Sequence, residues 1–211
     1  MKQMKNILFA VLLLFIYNCK AQKDNLIRQE MKMFDIKKIE ENKGKGIVYN
    51  SPNIYDYETK EGYQVLQSKY KQDNYYSEKI TKKISPYIYF ITYSLSGYIE
   101  SESLEFNNSP LILKEYDNTG HLVKETNFDK NFKHNFEQIR EFVLKEKDVD
   151  IYDTRQAIAL RHDTPFAPIK KYYQIHVLKS NFIDGKWYAQ PNYSFLIDYE
   201  TGKIVPPKNE E

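Results

Sequence analysis

Between residues 47 and 128 the sequence consists of short apolar runs separated by turn-forming residues, and this pattern restricts the fold more than any other feature. The runs are rich in tyrosine, isoleucine and valine, which suit a pleated, half-buried surface. They occupy residues 54–57, 63–67, 87–95, 98–104, 111–116 and 121–128. Because runs joined by short turns pair with their neighbours in the chain, the sequence predicts an antiparallel β-meander.

The run at 87–95 is predicted to lie near the middle of this sheet. Tyr89 and Ile91 fall on one face of the strand, and Ile88 and Phe90 fall on the other. A strand that is apolar on both faces is typical of the centre of a sheet.

Two helices are predicted to flank the meander. Residues 25–42 carry apolar side chains at three- and four-residue spacing, and a glycine-containing segment ends that pattern. Asn135 has the character of an N-cap, with Gln138 as its capping-box partner three positions later. The second helix is therefore expected to run to about Lys147.

The rest of the chain is predicted to be irregular and then to return to β-structure. Residues 148–168 have no sustained pattern, and a short helix is expected around 155–160. Strand patterns follow at 172–178, 187–189 and 193–198, with a turn at 184–185. The predicted fold class is α+β: an antiparallel β-meander with an N-terminal helix and a C-terminal helix-plus-hairpin unit.

The composition excludes several classes of protein. The 211 residues include 31 Lys plus Arg and 29 Asp plus Glu, which gives a formal net charge of +2. A chain so close to neutral has no field for neutralising many phosphates, so nucleic acid is not an expected partner. An aromatic content of 15% argues against intrinsic disorder. The single cysteine, Cys19, cannot form an internal disulfide or a Cys-rich zinc site.

Residues 1–18 have the pattern of a bacterial export signal. Lys2 and Lys5 give a positively charged start, and residues 7–17 form an uninterrupted apolar run. This run is too short to cross a bilayer, which takes about 20 apolar residues. A signal peptide that is removed after export is therefore the interpretation.

The end of this segment, Ile16-Tyr17-Asn18-Cys19, resembles the lipobox of bacterial lipoproteins. The resemblance implies that Cys19 becomes the lipid-modified N-terminus and anchors the protein in a membrane. Lys20 stands where some inner-membrane lipoproteins have an aspartate, which favours the outer membrane. Cleavage after Ala21 by the ordinary signal peptidase is the alternative, and it would release a soluble periplasmic or secreted protein.

Two further segments resemble known families. Residues 116–125, Tyr-Asp-Asn-Thr-Gly-His-Leu-Val-Lys-Glu, resemble one hairpin of the MORN-type repeats in the YwqK-type antitoxin family. Residues 135–205 are similar to the end of a PepSY domain, in which an aspartate and a Thr-Gly turn, here Asp198 and Thr201-Gly202, close the last hairpin. PepSY domains are small extracytoplasmic modules associated with peptidase inhibition or regulation, so this similarity implies a binding role.

These segments divide the mature chain into three predicted parts. Residues 19–134 form the first helix and the meander, residues 135–206 the PepSY-like helix and hairpin, and residues 207–211 a disordered tail.

The sequence has no recognisable catalytic or metal-binding motif. No two of the four histidines, at positions 121, 134, 162 and 176, have the i, i+3 or i+4 spacing of a zinc motif, so no metal or cofactor is predicted. Arg161-His162-Asp163 is the densest ionisable cluster, and it is expected on a loop, where neighbouring side chains diverge. Glu100 and Glu102 share one strand face, as a glycosidase pair would, but polar residues on the wet face of a strand explain them better.

The abundant tyrosines suggest a surface for stacking on a sugar or a peptide. Their rings combine a large apolar face with a polar tip. The best candidates are Tyr75, Tyr76, Tyr172, Tyr173 and Trp187.

These observations favour a non-enzymatic exported lipoprotein that binds another protein through its sheet or an exposed edge. The leading form of this hypothesis is an immunity or inhibitor protein. The alternative is a cell-envelope hydrolase acting on glycan or cell-wall material, which would gather His162, Asp163 and glutamates in a deep cleft. A passive structural role in the envelope is a third class.

The lipid anchor can be tested directly. Globomycin, which blocks signal peptidase II, is expected to stop processing of the wild-type chain. Palmitate label is expected on the wild type but not on Cys19→Ser, because the acyl group needs the thiol. A bulky residue at the alternative site, Ala21→Leu, serves as the control and is expected to leave processing unchanged. Normal processing under globomycin without palmitate label would refute the anchor.

Overall fold

The computed structural model describes residues 33–49, 51–70, 74–163 and 171–205. The predicted signal peptide, Cys19, the start of the predicted first helix and the predicted tail lie outside these residues. Within the described ranges, no helix is both long enough and apolar enough to cross a membrane.

Seven strands form one antiparallel sheet in sequence order, which confirms the predicted meander and the α+β class. The central strand is β4, in agreement with its two apolar faces. The strands are β1 (Ile54–Glu58), β2 (Tyr63–Tyr70), β3 (Tyr75–Lys82), β4 (Tyr87–Ser94), β5 (Ile99–Phe106), β6 (Ser109–Tyr116) and β7 (Leu122–Asn127). The apolar pattern does not single out β3, because Ser77, Glu78 and Lys79 interrupt it.

A second sheet has three antiparallel strands in the order β10-β9-β8. The strands are β8 (Ala157–Asp163), β9 (Lys171–Ile183) and β10 (Lys186–Asp198). A register shift between Pro191 and Tyr193 interrupts the pairing of β10 with β9. The apolar pattern of the sequence breaks at the same place, so it predicts two separate runs within β10.

The short helix expected around 155–160 is wrong, because this segment enters β8. Ala157 and Ala159 are buried, whereas Ile158 between them is exposed. That alternation has the period of a strand, and β9 provides the pairing partner. Pairing with a distant strand outweighs the helix propensity of the alanines.

In the part of the chain that the structure describes, two α-helices accompany the sheets: α1 (Ile36–Asn42), capped by Asp35, and α2 (Phe136–Lys147). The predicted capping box at the start of α2 is confirmed, with Asn135 and Gln138 each accepting from the other's backbone N–H. A 3₁₀ turn (Phe128–Asn131) follows β7 and precedes α2 in the chain.

Two apolar cores lie against the same face of the meander. Tyr87 and Tyr93 point to that face because they are an even number of residues apart in β4. Tyr93 packs on Phe34, which precedes α1, with ring centroids 4.8 Å apart. Tyr87 packs on Phe106 at 5.2 Å, in the core that α2 and the second sheet share with the meander. The two ends of the strands are therefore covered by different elements.

Glu40 ties α1 to the meander. Its carboxylate accepts hydrogen bonds from Lys43, from Lys69 Nζ at 2.7 Å and from the Tyr76 hydroxyl at 3.2 Å. The hydrogen bonds from Lys43 and then Lys69 lower the pKa of Glu40 to about 2. The helix is thus held to β2 and β3 by an ionised side chain.

Replacing this carboxylate is expected to weaken the fold in a pH-dependent way. Glu40→Gln should lower the free energy of unfolding at pH 7 by about 0.5–1 kcal/mol, the range of a partly exposed ion pair. The pKa of Glu40 is lower in the folded chain than its usual 4.5, so its contribution is complete above pH 4.5 and disappears as the pH falls towards 2. Urea unfolding of wild type and variant should therefore converge on acidification.

Glu41→Gln is the matched control. The Glu41 carboxylate is exposed and pairs only loosely with Lys37, at 3.8 Å, so its replacement should leave stability unchanged. A stability difference for Glu40→Gln that is the same at pH 7 and near pH 2 would contradict the assignment.

Candidate functional site

The five aromatic residues predicted as a stacking surface lie in different sheets. Tyr75 and Tyr76 begin β3 of the meander, whereas Tyr172 and Tyr173 lie in β9 and Trp187 lies in β10. The two tyrosine pairs therefore belong to separate layers of the molecule.

Tyr76 and Tyr173 are core residues. Tyr76 packs 4.9 Å from Phe34, and Tyr173 packs 5.4 Å from Phe136 and donates its hydroxyl to the carbonyl of His134. Both side chains are buried, so neither presents a ring face to a ligand. Because they are buried, Tyr76 and Tyr173 give no support to a stacking role.

Tyr75 and Tyr172 are half-buried. Tyr172 stacks on His162, its cross-strand partner in β8, with ring centroids 4.7 Å apart. This pair lies on the face of the second sheet that is turned away from the core, since Tyr173 on the opposite face is buried.

The ionisable cluster at the end of β8 lies in a strand rather than on the expected loop, and its side chains are engaged separately. Arg161 is bonded to Asp129 on the core side. His162 points to the other face, and Asp163 pairs with Lys171 at 3.3 Å. The structure therefore does not bring His162 and Asp163 together as an acid–base pair.

Polar side chains also cross the covered face of the meander. Gln67 Nε2 donates to one carboxylate oxygen of Glu78 at 2.6 Å, and the Tyr93 hydroxyl donates to the other at 2.9 Å. Burial raises the pKa of Tyr93, and Glu78 adds to the rise, so the hydroxyl keeps the proton that it donates. Further along the same row, Lys114 donates to Glu102 at 2.8 Å, so Glu102 lies on the covered face and not on the wet face predicted for it. Because both carboxylate oxygens of Glu78 accept hydrogen bonds from within the sheet, this side chain has a structural role.

The outer edge of β1 is covered by residues 44–49. The Gly44 N–H donates to the Ile54 carbonyl at 2.8 Å, and the Ile47 N–H reaches the Asp56 carbonyl at 3.4 Å. An open strand edge is a template for unwanted pairing with other chains. At this edge, where the described residues provide no further strand, the covering segment takes the place of a neighbour.

The carboxylate of Asp56 holds this segment in place. It accepts hydrogen bonds from three successive backbone N–H groups, those of Ile47 at 3.0 Å, Val48 at 2.8 Å and Tyr49 at 2.9 Å. Such convergent N–H groups form a small anion-binding nest. Gly46 is needed beside it, because a Cβ there would come within 2.0 Å of Asp56 Oδ1.

As a consequence, three large apolar side chains point into solvent next to one another: Ile47 is 75% exposed, Val48 71% and Tyr49 51%. They line a cleft of about 210 Å³ together with Leu66 and Lys79 of the adjoining strands. We call this feature the edge cleft. Contiguous exposed apolar side chains mark sites of contact with another molecule.

The sequence pattern does not reveal the edge cleft. The glycines at 44 and 46 are interpreted only as the end of a helix, and residues 47–49 as the start of the β-region. The one local signal is Gly46 directly before three large apolar residues. This signal alone does not indicate a cleft, because the segment is ordered by Asp56, which lies in β1.

No family model, curated protein or solved structure matches the chain. The MORN-type and PepSY-type resemblances therefore stay predictions. In the part of the chain that the structure describes, no three His, Cys, Asp or Glu side chains come together in a way that could hold a metal ion.

The role of Asp56 leads to a local prediction. Asp56→Asn should lower the free energy of unfolding by about 1–3 kcal/mol, because the amide turns a donor towards backbone N–H groups and leaves them unsatisfied. Hydrogen exchange at the amides of residues 47–49 should accelerate by at least about tenfold. Glu58→Gln, an exposed change in the same strand, is the control. Unchanged exchange at 47–49 in Asp56→Asn would show that the nest does not hold the segment.

Proposed function

We propose that this chain is an exported lipoprotein, anchored in the cell envelope through Cys19, that binds another protein and has no enzymatic activity. Its leading form is an immunity or inhibitor protein. The observation that carries the proposal is the edge cleft, where Ile47, Val48 and Tyr49 are exposed on a backbone that Asp56 holds in place.

The edge cleft has the properties of an interface centre. Its aliphatic and aromatic side chains are of the kind that anchor protein–protein contacts, and Lys79 and Glu58 provide polar groups beside them. Because three hydrogen bonds already order residues 47–49, binding there costs little conformational entropy. A protein partner with a complementary apolar surface fits this site.

The hydrolase alternative would need a carboxylate that is free to exchange a proton. In the edge cleft, Asp56 is buried and committed to three backbone N–H groups. This arrangement favours a structural task for Asp56, and it leaves the apolar side chains as the functional part of the cleft.

Membrane attachment in this proposal depends on lipid rather than on charge. Removal of the signal takes Lys2 and Lys5 with it, which leaves the basic and acidic residues of the chain balanced. A neutral protein has no general attraction to an anionic surface, so an acyl group at Cys19 would provide the attachment.

The proposal predicts that the edge cleft is required for partner binding. The tagged wild-type chain is expected to retain one specific protein from its own envelope and secreted fractions. Ile47→Ser/Val48→Ser should reduce the affinity for that protein by about tenfold or more, since apolar anchors each contribute on the order of 1 kcal/mol or more. Titration with the purified partner measures the change.

The chain offers a matched control in β7. Leu122 and Val123 are exposed to a comparable extent, 51% and 63%, so Leu122→Ser/Val123→Ser removes similar apolar surface far from the cleft residues in the strand order. This control should bind as the wild type does. Recovery of no specific partner, or equal binding by the cleft variant, would refute the proposal.

An immunity role adds a test in cells. A strain that lacks the gene should be outcompeted by its parent in mixed culture, because the parent still secretes the toxin. The wild-type gene and the β7 control should restore survival, and the cleft variant should not. Equal fitness of the deletion strain would refute the immunity role. The affinity measurement would then decide whether the edge cleft binds another protein.

A further inference from the structure

The β9–β10 hairpin reaches beyond the rest of the second sheet. β8 pairs with β9 only between Lys171 and Val177, whereas β9 and β10 stay paired up to the turn at Asp184 and Gly185. Among the described residues, 178–191 therefore form a ribbon whose two strands pair with each other and, beyond its base, with no third strand; we call this ribbon the arm.

The base of the arm is attached to the body of the protein. The Leu178 N–H donates to the Gln156 carbonyl at 2.8 Å, and the Ser180 hydroxyl donates to the carbonyl of Arg155. The position of the arm is thus set at its base, and the outer part extends from there.

The outer part of the arm exposes large apolar side chains on both of its faces. Phe182 is 60% exposed, Ile183 53% and Tyr188 49%. Phe182 and Ile183 are neighbours in a strand and so point to opposite faces. Tyr188 pairs with Asn181 and therefore shares the face of Ile183. A ribbon of two strands has no core in which to bury these groups.

This two-sided exposure indicates what surrounds the arm. Docking one face on a flat partner would leave the apolar groups of the other face in water. The interfacial zone of a lipid bilayer surrounds an inserted hairpin on both sides, and it suits aromatic rings that carry a polar tip, such as Tyr188.

The charges of the arm agree with such an environment. Lys179 and Lys186 are exposed, and Asp184 is the one acidic residue within 178–191. Lysines beside an apolar tip extend their ammonium groups to the headgroup level and attract anionic lipids. The arm is cationic in a chain whose mature form would be neutral.

We propose that the arm inserts its tip into the interfacial zone of a membrane containing anionic lipids, with Phe182 and Ile183 among the acyl chains and Lys179 and Lys186 at the headgroups. This second contact would fix the orientation of the protein on the membrane, which attachment at one point does not. It is independent of the edge cleft, which belongs to the other sheet.

The only tryptophan of the chain, Trp187, is the cross-strand partner of Phe182 and reports on the arm without a label. The full chain, in the form that its cell produces, is mixed with vesicles of phosphatidylethanolamine and phosphatidylglycerol. Trp187 emission should shift to the blue, and acyl-brominated lipids should quench it. An anchor at Cys19 would retain every variant on the vesicles, so quenching rather than retention is the readout.

Phe182→Ser/Ile183→Ser should reduce the vesicle-dependent quenching by about tenfold, while leaving the circular dichroism spectrum unchanged because both side chains are exposed. Leu122→Ser/Val123→Ser, which removes comparable apolar surface from β7, should quench as the wild type does. Vesicles of phosphatidylcholine alone should give weaker quenching if the lysines contact anionic headgroups.

The proposal is overturned if vesicles leave Trp187 emission unchanged, or if the arm variant is quenched as strongly as the wild type. Loss of a protein partner in the arm variant, without any lipid quenching, would also overturn it and would assign the arm to a protein cleft. Neither result affects the edge cleft, since binding of its partner is measured on the Ile47→Ser/Val48→Ser variant.

Discussion

The contact between Phe106, Phe136 and Tyr173 joins the meander, α2 and the second sheet into one core. Phe106 of β5 stacks on Phe136 at 4.1 Å, and Phe136 meets Tyr173 of β9 edge to face at 5.4 Å. Arg161, largely buried, lies over Phe136 with 5.6 Å between guanidinium and ring centroid and is neutralised by Asp129. Because each ring belongs to a different element, removing one would leave a cavity where two layers meet.

This core determines which surfaces are left for binding. One face of the meander is occupied at both ends of its strands, by α1 at one end and by α2 with the second sheet at the other. The edge at β1 and the projecting hairpin are among the places where large apolar side chains reach solvent. Binding residues concentrate on loops and edges that a packed scaffold positions, and the edge cleft and the arm are both of this kind.

Several elements could be predicted because their signals are local. The two apolar faces of β4, the Asn135–Gln138 capping box and the turn at Asp117 depend on residues within a few positions of one another. The burial of Tyr76 and Tyr173 could not be predicted, since a tyrosine in a strand has the same pattern whether its ring meets Phe34, Phe136 or water. The edge cleft could not be predicted either, because it depends on the contacts of Asp56 with the backbone of residues 47–49.

The sequence by itself determined the alternation of strands, the turns that make neighbours pair and the cap of α2, because these interactions act over a few residues. Only the tertiary structure decided that residues 157–163 pair with β9, that the Asp56 carboxylate holds residues 47–49, and that Phe182 and Ile183 stay outside the core. In the first two cases the deciding contact comes from another part of the chain, and in the third the core packs against other residues. A local sequence pattern does not identify a contact partner that is distant in the chain, and whether a side chain is buried is decided only when the layers pack.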